Sequence, residues 1–213
     1  MTVLWSALLP DVLPHVRGCP SPVAEHELLR AAQRLFNDSR AWRITTDPAA
    51  VAADQDEVTI DTGDSSLSLV RVEDAWYDGK ELSVFTGDQM AREYGDDWMA
   101  HTGTPEAIIQ DVPGVVRLYP VPTDAAATGI KFRISVKPSE SSTGLPDNLA
   151  LEYRDSLVSG AKSMLMLYPR TDWYAPDIAM REATNFQIDI ERATLKAARS
   201  YGRGRIAGRV RWC

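Results

Sequence analysis

Ala179, Ala183, Phe186, Ile190, Ala193 and Ala197 recur at alternating steps of four and three residues. Only a helix gathers positions so spaced on one side. The seam is narrow and mostly alanine, so it predicts a helix that packs closely against another, within the chain or in a neighbouring copy. Ala179, Ala183, Phe186 and Ile190 are the candidate packing residues. Pro176-Asp177 opens the segment, which reads as a helix over about 176–199.

Two other stretches share the helical period. Leu28, Ala32, Leu35 and Phe36 fall on one face, with Glu25, Arg30, Arg34 and Asn37 elsewhere, so the spacing predicts a helix over about 21–39. Ser21 is a candidate cap for its orphan amides, and Pro22 has no amide to waste. Leu149, Tyr153, Leu157, Ala161, Met164 and Leu165 predict a third helix over about 146–167, opened by Pro146-Asp147. Gly160 lies inside it at a cost of about 1 kcal/mol against alanine, which predicts a close backbone approach. Leu8–Cys19, with Pro10, Pro14 and Gly18, reads as an irregular lead-in, and Trp42 as a residue at the domain edge.

Between the first and second helices the period drops to two. Ile130, Phe132, Ile134 and Val136 alternate with Lys131, Arg133 and Ser135, the pattern of a half-buried antiparallel strand. Glu57–Asp61 and Leu67–Val72 read as a strand pair turned by Thr62–Ser65, and Ala75–Leu82 as another around Asp78-Gly79. Ala107–Gln110 and Val115–Tyr119 add strands, and Gln89–Tyr94 a short helix with Thr86 and Asp88 as cap candidates. The expected fold is α+β: one domain over 1–199, an antiparallel helical bundle of three main helices. An antiparallel β module (about 55–138) is inserted into it, and an extended C-terminal arm (200–213) follows.

Composition narrows the chemistry. A chain of 213 residues that is 44% hydrophobic and 25% charged has ordinary folded-protein balance. No apolar run approaches the roughly 18–20 residues that cross a membrane, so no membrane partner is expected. Met1–Pro10 has neither a basic start nor a long apolar core and does not read as a signal peptide. Cys19 and Cys213 lie far apart outside any C-x-x-C, which fits a reducing compartment and argues against a disulfide framework. His15, His26 and His101 share no ligand spacing, and the acids at 54–57 and 96–97 lack the spacing of a calcium loop. No metal and no cofactor is expected.

Asp61-Thr62-Gly63 is the sharpest enzyme-like string, since aspartic proteases place such a loop after an apolar strand and Val58 and Ile60 precede it. A single copy needs a dimer to supply the second carboxylate, and Asp64 stands where a small residue is usual. A hairpin turn is the preferred reading. Gly202-x-Gly204-x-x-x-Gly208 follows a helix with the wrong spacing for a dinucleotide loop. G-x-x-x-x-G-K-[ST], H-E-x-x-H and G-x-S-x-G are absent. No catalytic residue is assigned, and the chain reads as a non-enzyme.

Charge is split along the chain. Residues 192–213 hold seven basic side chains and no acid, while all 30 acids lie before them. Arg192–Arg199 reads as the positive end of the last helix, where cations suit the dipole. From Ser200 glycines release the chain. The free end has three readings. Its arginines can hold phosphates while Tyr201 and Trp212 stack on bases. It can be a solvated end without a partner. Or it can be a docking arm, with Ile206, Val210 and Trp212 in apolar pockets and Arg203, Arg205, Arg209 and Arg211 on carboxylates. The acidic body makes a poor general DNA binder, so the docking arm is preferred.

Several short strings occur in a telling order. Leu9-Pro-Asp-Val-Leu-Pro14-His15 leads through Gly18-Cys19-Pro20 to Ser39-Arg-Ala-Trp42-Arg43. Then come Trp76-Tyr-Asp-Gly79, Gly103-Thr-Pro105, Val116-Arg-Leu-Tyr-Pro120-Val-Pro122, Val136-Lys-Pro138 and Gly144-Leu-Pro146-Asp147. The chain resembles, over about residues 8–190, the head-to-tail adaptor family of tailed bacteriophages, the group that includes podovirus tail tubular protein A. The resemblance implies a structural virion protein that forms a twelve-fold ring at the neck, beneath the portal protein. It implies a C-terminal arm on the portal, a tail nozzle or tube protein below, and genomic DNA passing through the lumen without sequence-specific binding. Host cytoplasm is the place of assembly it implies.

Overall fold

The computed structural model describes residues 2–95 and 97–199. They divide into two compact units, residues 2–41 with 142–199, and residues 42–141. The chain enters the first unit through β1 (Thr2–Leu4), a 3-10 turn over Trp5–Leu8, α1 (Leu9–Val12), a second such turn over Leu13–His15, and α2 (Ser21–Ser39). The second unit contains β2 (Arg43–Thr45), β3 (Ala49–Val51), β4 (Glu57–Thr59), β5 (Leu67–Tyr77), β6 (Lys80–Phe85) and α3 (Gly87–Tyr94). It continues with β7 (Thr102–Gly103), β8 (Ala107–Val112), β9 (Val115–Tyr119), β10 (Val121–Pro122) and β11 (Ala126–Pro138). The chain returns to the first unit as β12 (Gly144–Pro146), α4 (Asp147–Glu152), α5 (Arg154–Leu165) and α6 (Pro176–Arg199).

This is a mixed α/β architecture, which corrects the expectation of an antiparallel three-helix bundle carrying an inserted antiparallel β module. The reason lies in the second unit. Eight strands join in one sheet, in the order β2-β11-β5-β6-β8-β9-β4 with β3 also on β11. A sheet of that size buries a core of its own. Nor is it wholly antiparallel: β6 and β8 run parallel, Val84 opposite Ile108. A parallel pair needs a crossover, and α3 lies in it, started by a capping box in which Thr86 and Gln89 satisfy each other's backbone amides. Met90 and Trp98 from the crossover bury against Ala107, Ile109 and Tyr119 of the sheet.

The expected pair of Glu57–Asp61 with Leu67–Val72 does not form. β4 pairs with β9 at one edge, whereas β5 lies between β11 and β6. The pair around Asp78-Gly79 does form: Tyr77 lies opposite Lys80, with φ of 48° at Asp78 and 78° at Gly79. Two left-handed residues in succession match the twist of the flanking strands.

In the first unit α2, α5 and α6 pack pairwise. Phe36, Leu28 and Leu35 of α2, Leu157 and Leu165 of α5, and Phe186 of α6 are almost wholly buried. Each such side chain stabilises the fold by roughly 1.5–3 kcal/mol. The residues before α2 are not irregular. Pro10 and Pro14 stand at the starts of helical turns, where a missing amide costs nothing, and Trp5, Leu8, Val12 and Val16 are buried. The Trp5 indole donates to the Ser142 carbonyl at 2.8 Å. Ser21 is inside α2; the cap position is Pro20, with no side-chain cap bond. The single helix expected over 146–167 is instead β12, α4 and α5. Gly144–Pro146 pairs with β1, and Gly144 is required there because a Cβ would stand 2.1 Å from the Val3 carbonyl oxygen. Tyr153 separates α4 from α5 with φ −107° and ψ 14°, and its ring meets Phe36 edge-on at 5.6 Å.

Candidate functional site

The sequence-predicted arm residues Tyr201, Arg203, Arg205, Ile206, Arg209, Val210, Arg211 and Trp212 lie outside the described residues. The element leading to them, α6, is described to Arg199. Of its predicted packing residues, Ala179, Phe186 and Ile190 are buried, with Ala193 beside them, whereas Ala183 is exposed. The close approach centres on Gly160. A Cβ there would stand 2.9 Å from the Cβ of Ala31 and 3.0 Å from two ring carbons of Phe186, so α2, α5 and α6 meet where one side chain is absent.

Polar contacts fix α6 along its length. Lys162 meets Glu182 at 3.0 Å with both side chains mostly buried. Ser156 donates to Asp189 at 3.0 Å, and the Arg34 guanidinium lies 5.7 Å from the Phe186 ring centroid. Near the C-terminal end Lys196 pairs with Glu152, and Arg199 is exposed in the last turn. Cations in that position favour the negative end of the helix dipole.

A second polar node ties α2 to the loop before α6. Glu27 has no exposed surface; its carboxylate accepts from Arg30 at 3.0 and 3.2 Å and from the Tyr168 hydroxyl at 2.7 Å. The hydrogen bond to Glu27, then burial, hold the Tyr168 phenol above its ordinary pKa. Burial, then the Glu27 charge, push the Cys19 thiol up. Sequence reasoning missed this node, although Glu27 lies one turn from Ala24 and Ala31 on the apolar face of α2. It also missed the opposite side of α6, where Met180, Ile188 and Leu195 are exposed; their steps of eight and seven residues were the available signal.

The remaining candidates have local roles. Asp61 is exposed and accepts the Gly63 amide at 2.8 Å, a turn contact. Ser66 hydrogen bonds hold the Asp64 carboxyl below its usual range. Asp56 and Glu57 both face Arg117. His15 and His26 are exposed, and a His101 ring nitrogen is 3.0 Å from the Tyr119 hydroxyl. Among the described residues no three His, Cys, Asp or Glu side chains are grouped to hold a metal ion. No described helix is long and apolar enough to cross a membrane.

The SU10 adaptor protein family model matches residues 9–210, nearly the whole chain. The chain belongs to the SU10 adaptor protein family, a family of phage adaptor proteins. No curated protein matches it.

Proposed function

We propose that this chain is a head-to-tail adaptor of the virion neck. In this reading copies form a ring, a dodecamer by the family resemblance, between the portal and the tail nozzle or tube. The observation that carries it is the family match, which extends into the basic segment as far as residue 210. The charge division supports it: seven cations on residues 192–213 suit an acidic portal surface, while the net charge of −7 is set by the acidic body. Buried residues from Ala179 to Ala193 pack α6, the helix that leads to the arm, against α2 and α5.

The mechanism follows from mass action. Residues 1–199 form the adaptor body, which associates weakly while 200–213 is unbound. A portal presents its docking grooves side by side. Arms held in adjacent grooves raise the effective concentration of the bodies, and the ring closes. An acidic lumen repels the duplex and lets it slide. Assembly takes place in the host cytoplasm, and the product stays in the virion.

The test is binding of the full chain, and of a chain ending at Arg199, to purified portal. The full chain binds, and the truncated chain does not despite an unchanged circular dichroism spectrum. Equal binding by both removes the arm from the mechanism. Tight duplex binding that falls steeply with salt would instead favour a nucleic-acid role for the basic segment.

A further inference from the structure

Exposed apolar side chains are unevenly shared. Of the twelve large ones among the described residues, nine lie on the first unit. They include two surfaces built from different elements. The first is the outer stripe of α6: Met180, Ile188 and Leu195 are 70%, 41% and 56% exposed. On a helix these positions stack on one side, away from buried Phe186 and Ile190. Arg181, Arg192 and Arg199, all exposed, run along one border, Arg192 being paired with Asp189 at 3.3 Å, and Glu191 lies inside the stripe.

The second surface is a groove of about 530 Å³ beside α4. Val3, Leu8 and Ala150 form an apolar floor, and Leu151, 79% exposed, stands on the rim. No α6 residue lines it. The rim is acidic: Asp147 lines it, Asp155 is exposed next in sequence to Arg154, and Arg154 is neutralised by Asp11 at 2.6 Å.

We infer that the α6 stripe of one copy seats in the α4 groove of a second copy, head to tail. The two surfaces share one compact unit, are both apolar, and have complementary borders, arginine on the stripe and aspartate on the groove. A pairing between two different surfaces leaves each partner with one surface unused. It therefore propagates, and closes into a ring where the rotation allows. This rests on the ring reading above and assigns its subunit contact.

The test uses the full chain, with sedimentation velocity over rising concentration and with purified portal. The Met180→Glu/Leu195→Glu variant and the Leu151→Glu variant each self-associate about tenfold more weakly or worse. Leu167→Glu, at an exposed leucine outside both surfaces, assembles as the unmodified chain does. An equimolar mixture of the two defective variants forms a heterodimer that grows no further, because one intact stripe meets one intact groove. If both variants associate normally while rings still form on the portal, the contact is wrong and the ring reading stands. Loss in the stripe variant alone would indicate stripe against stripe and overturn the head-to-tail pairing. An unmodified chain that stays monomeric even with portal overturns both.

Discussion

Substituting Gly160 by alanine sets two effects of opposite sign against each other. Alanine favours a helix over glycine by about 1 kcal/mol. Against this, the new methyl meets the Ala31 Cβ at 2.9 Å and the Phe186 ring at 3.0 Å. Ala31 is fixed to the α2 backbone and Phe186 is 1% exposed, so neither can move without shifting a packed helix. Overpacking of this kind costs about 1–3 kcal/mol. The net prediction is a loss of up to about 2 kcal/mol, read from hydrogen exchange of the α5 amides in the full chain. Adding Phe186→Leu should make room, so the double variant should lose less than the two single losses combined, by about 0.5 kcal/mol or more. A Gly160→Ala chain that gains about 1 kcal/mol would show that propensity alone governs the site and that the three-helix contact is looser than described.

The Glu27 node makes a pH prediction. The folded chain holds the Tyr168 proton beyond the pH at which the unfolded chain releases it. Stability of the first unit should therefore fall as pH rises through about 10, the ordinary tyrosine value. Tyr168→Phe removes that part of the fall and, at neutral pH, costs about 1.5–3 kcal/mol by taking a donor from a buried carboxylate; an unchanged alkaline slope contradicts the account. In a Cys213→Ser chain the one remaining thiol, Cys19, should react with a disulfide reagent only as fast as the fold opens, because burial keeps it protonated. Asp61→Asn keeps an oxygen acceptor for the Gly63 amide and should leave assembly on the portal unchanged. Loss of assembly in a folded Asp61→Asn chain would indicate that the carboxylate has a role beyond the turn.

Local chemistry was the most legible part of the sequence. Pro22 and Pro176 mark helix starts, Asp78-Gly79 marks a two-residue hairpin, Thr86 a cap, and Gly160 a close approach, because each rests on a constraint within a few residues. What long-range pairing decides was not legible. Period-two segments announce strands but not their neighbours, so β4 was matched to β5 when its partner is β9. The parallel β6–β8 pair depends on a crossover that alternation alone does not reveal. Counting helices by their apolar face understates the sheet: residues 42–141 lie between the two parts of the first unit but bury a core of their own. At the candidate site Ala179, Phe186 and Ile190 are buried on α6, whereas Ala183 is exposed. The outer stripe was hidden because a helix with two apolar sides resembles a helix with one wide one.

In the proposed function, copies of this chain close into a ring on the portal through residues 200–213. Negative-stain microscopy of the full chain, and of the chain ending at Arg199, each alone and with purified portal, tests it most directly. Rings seated on the portal are expected for the full chain, and bare portal for the truncated one. Bare portal with the full chain, or equal ring decoration by both chains, contradicts it.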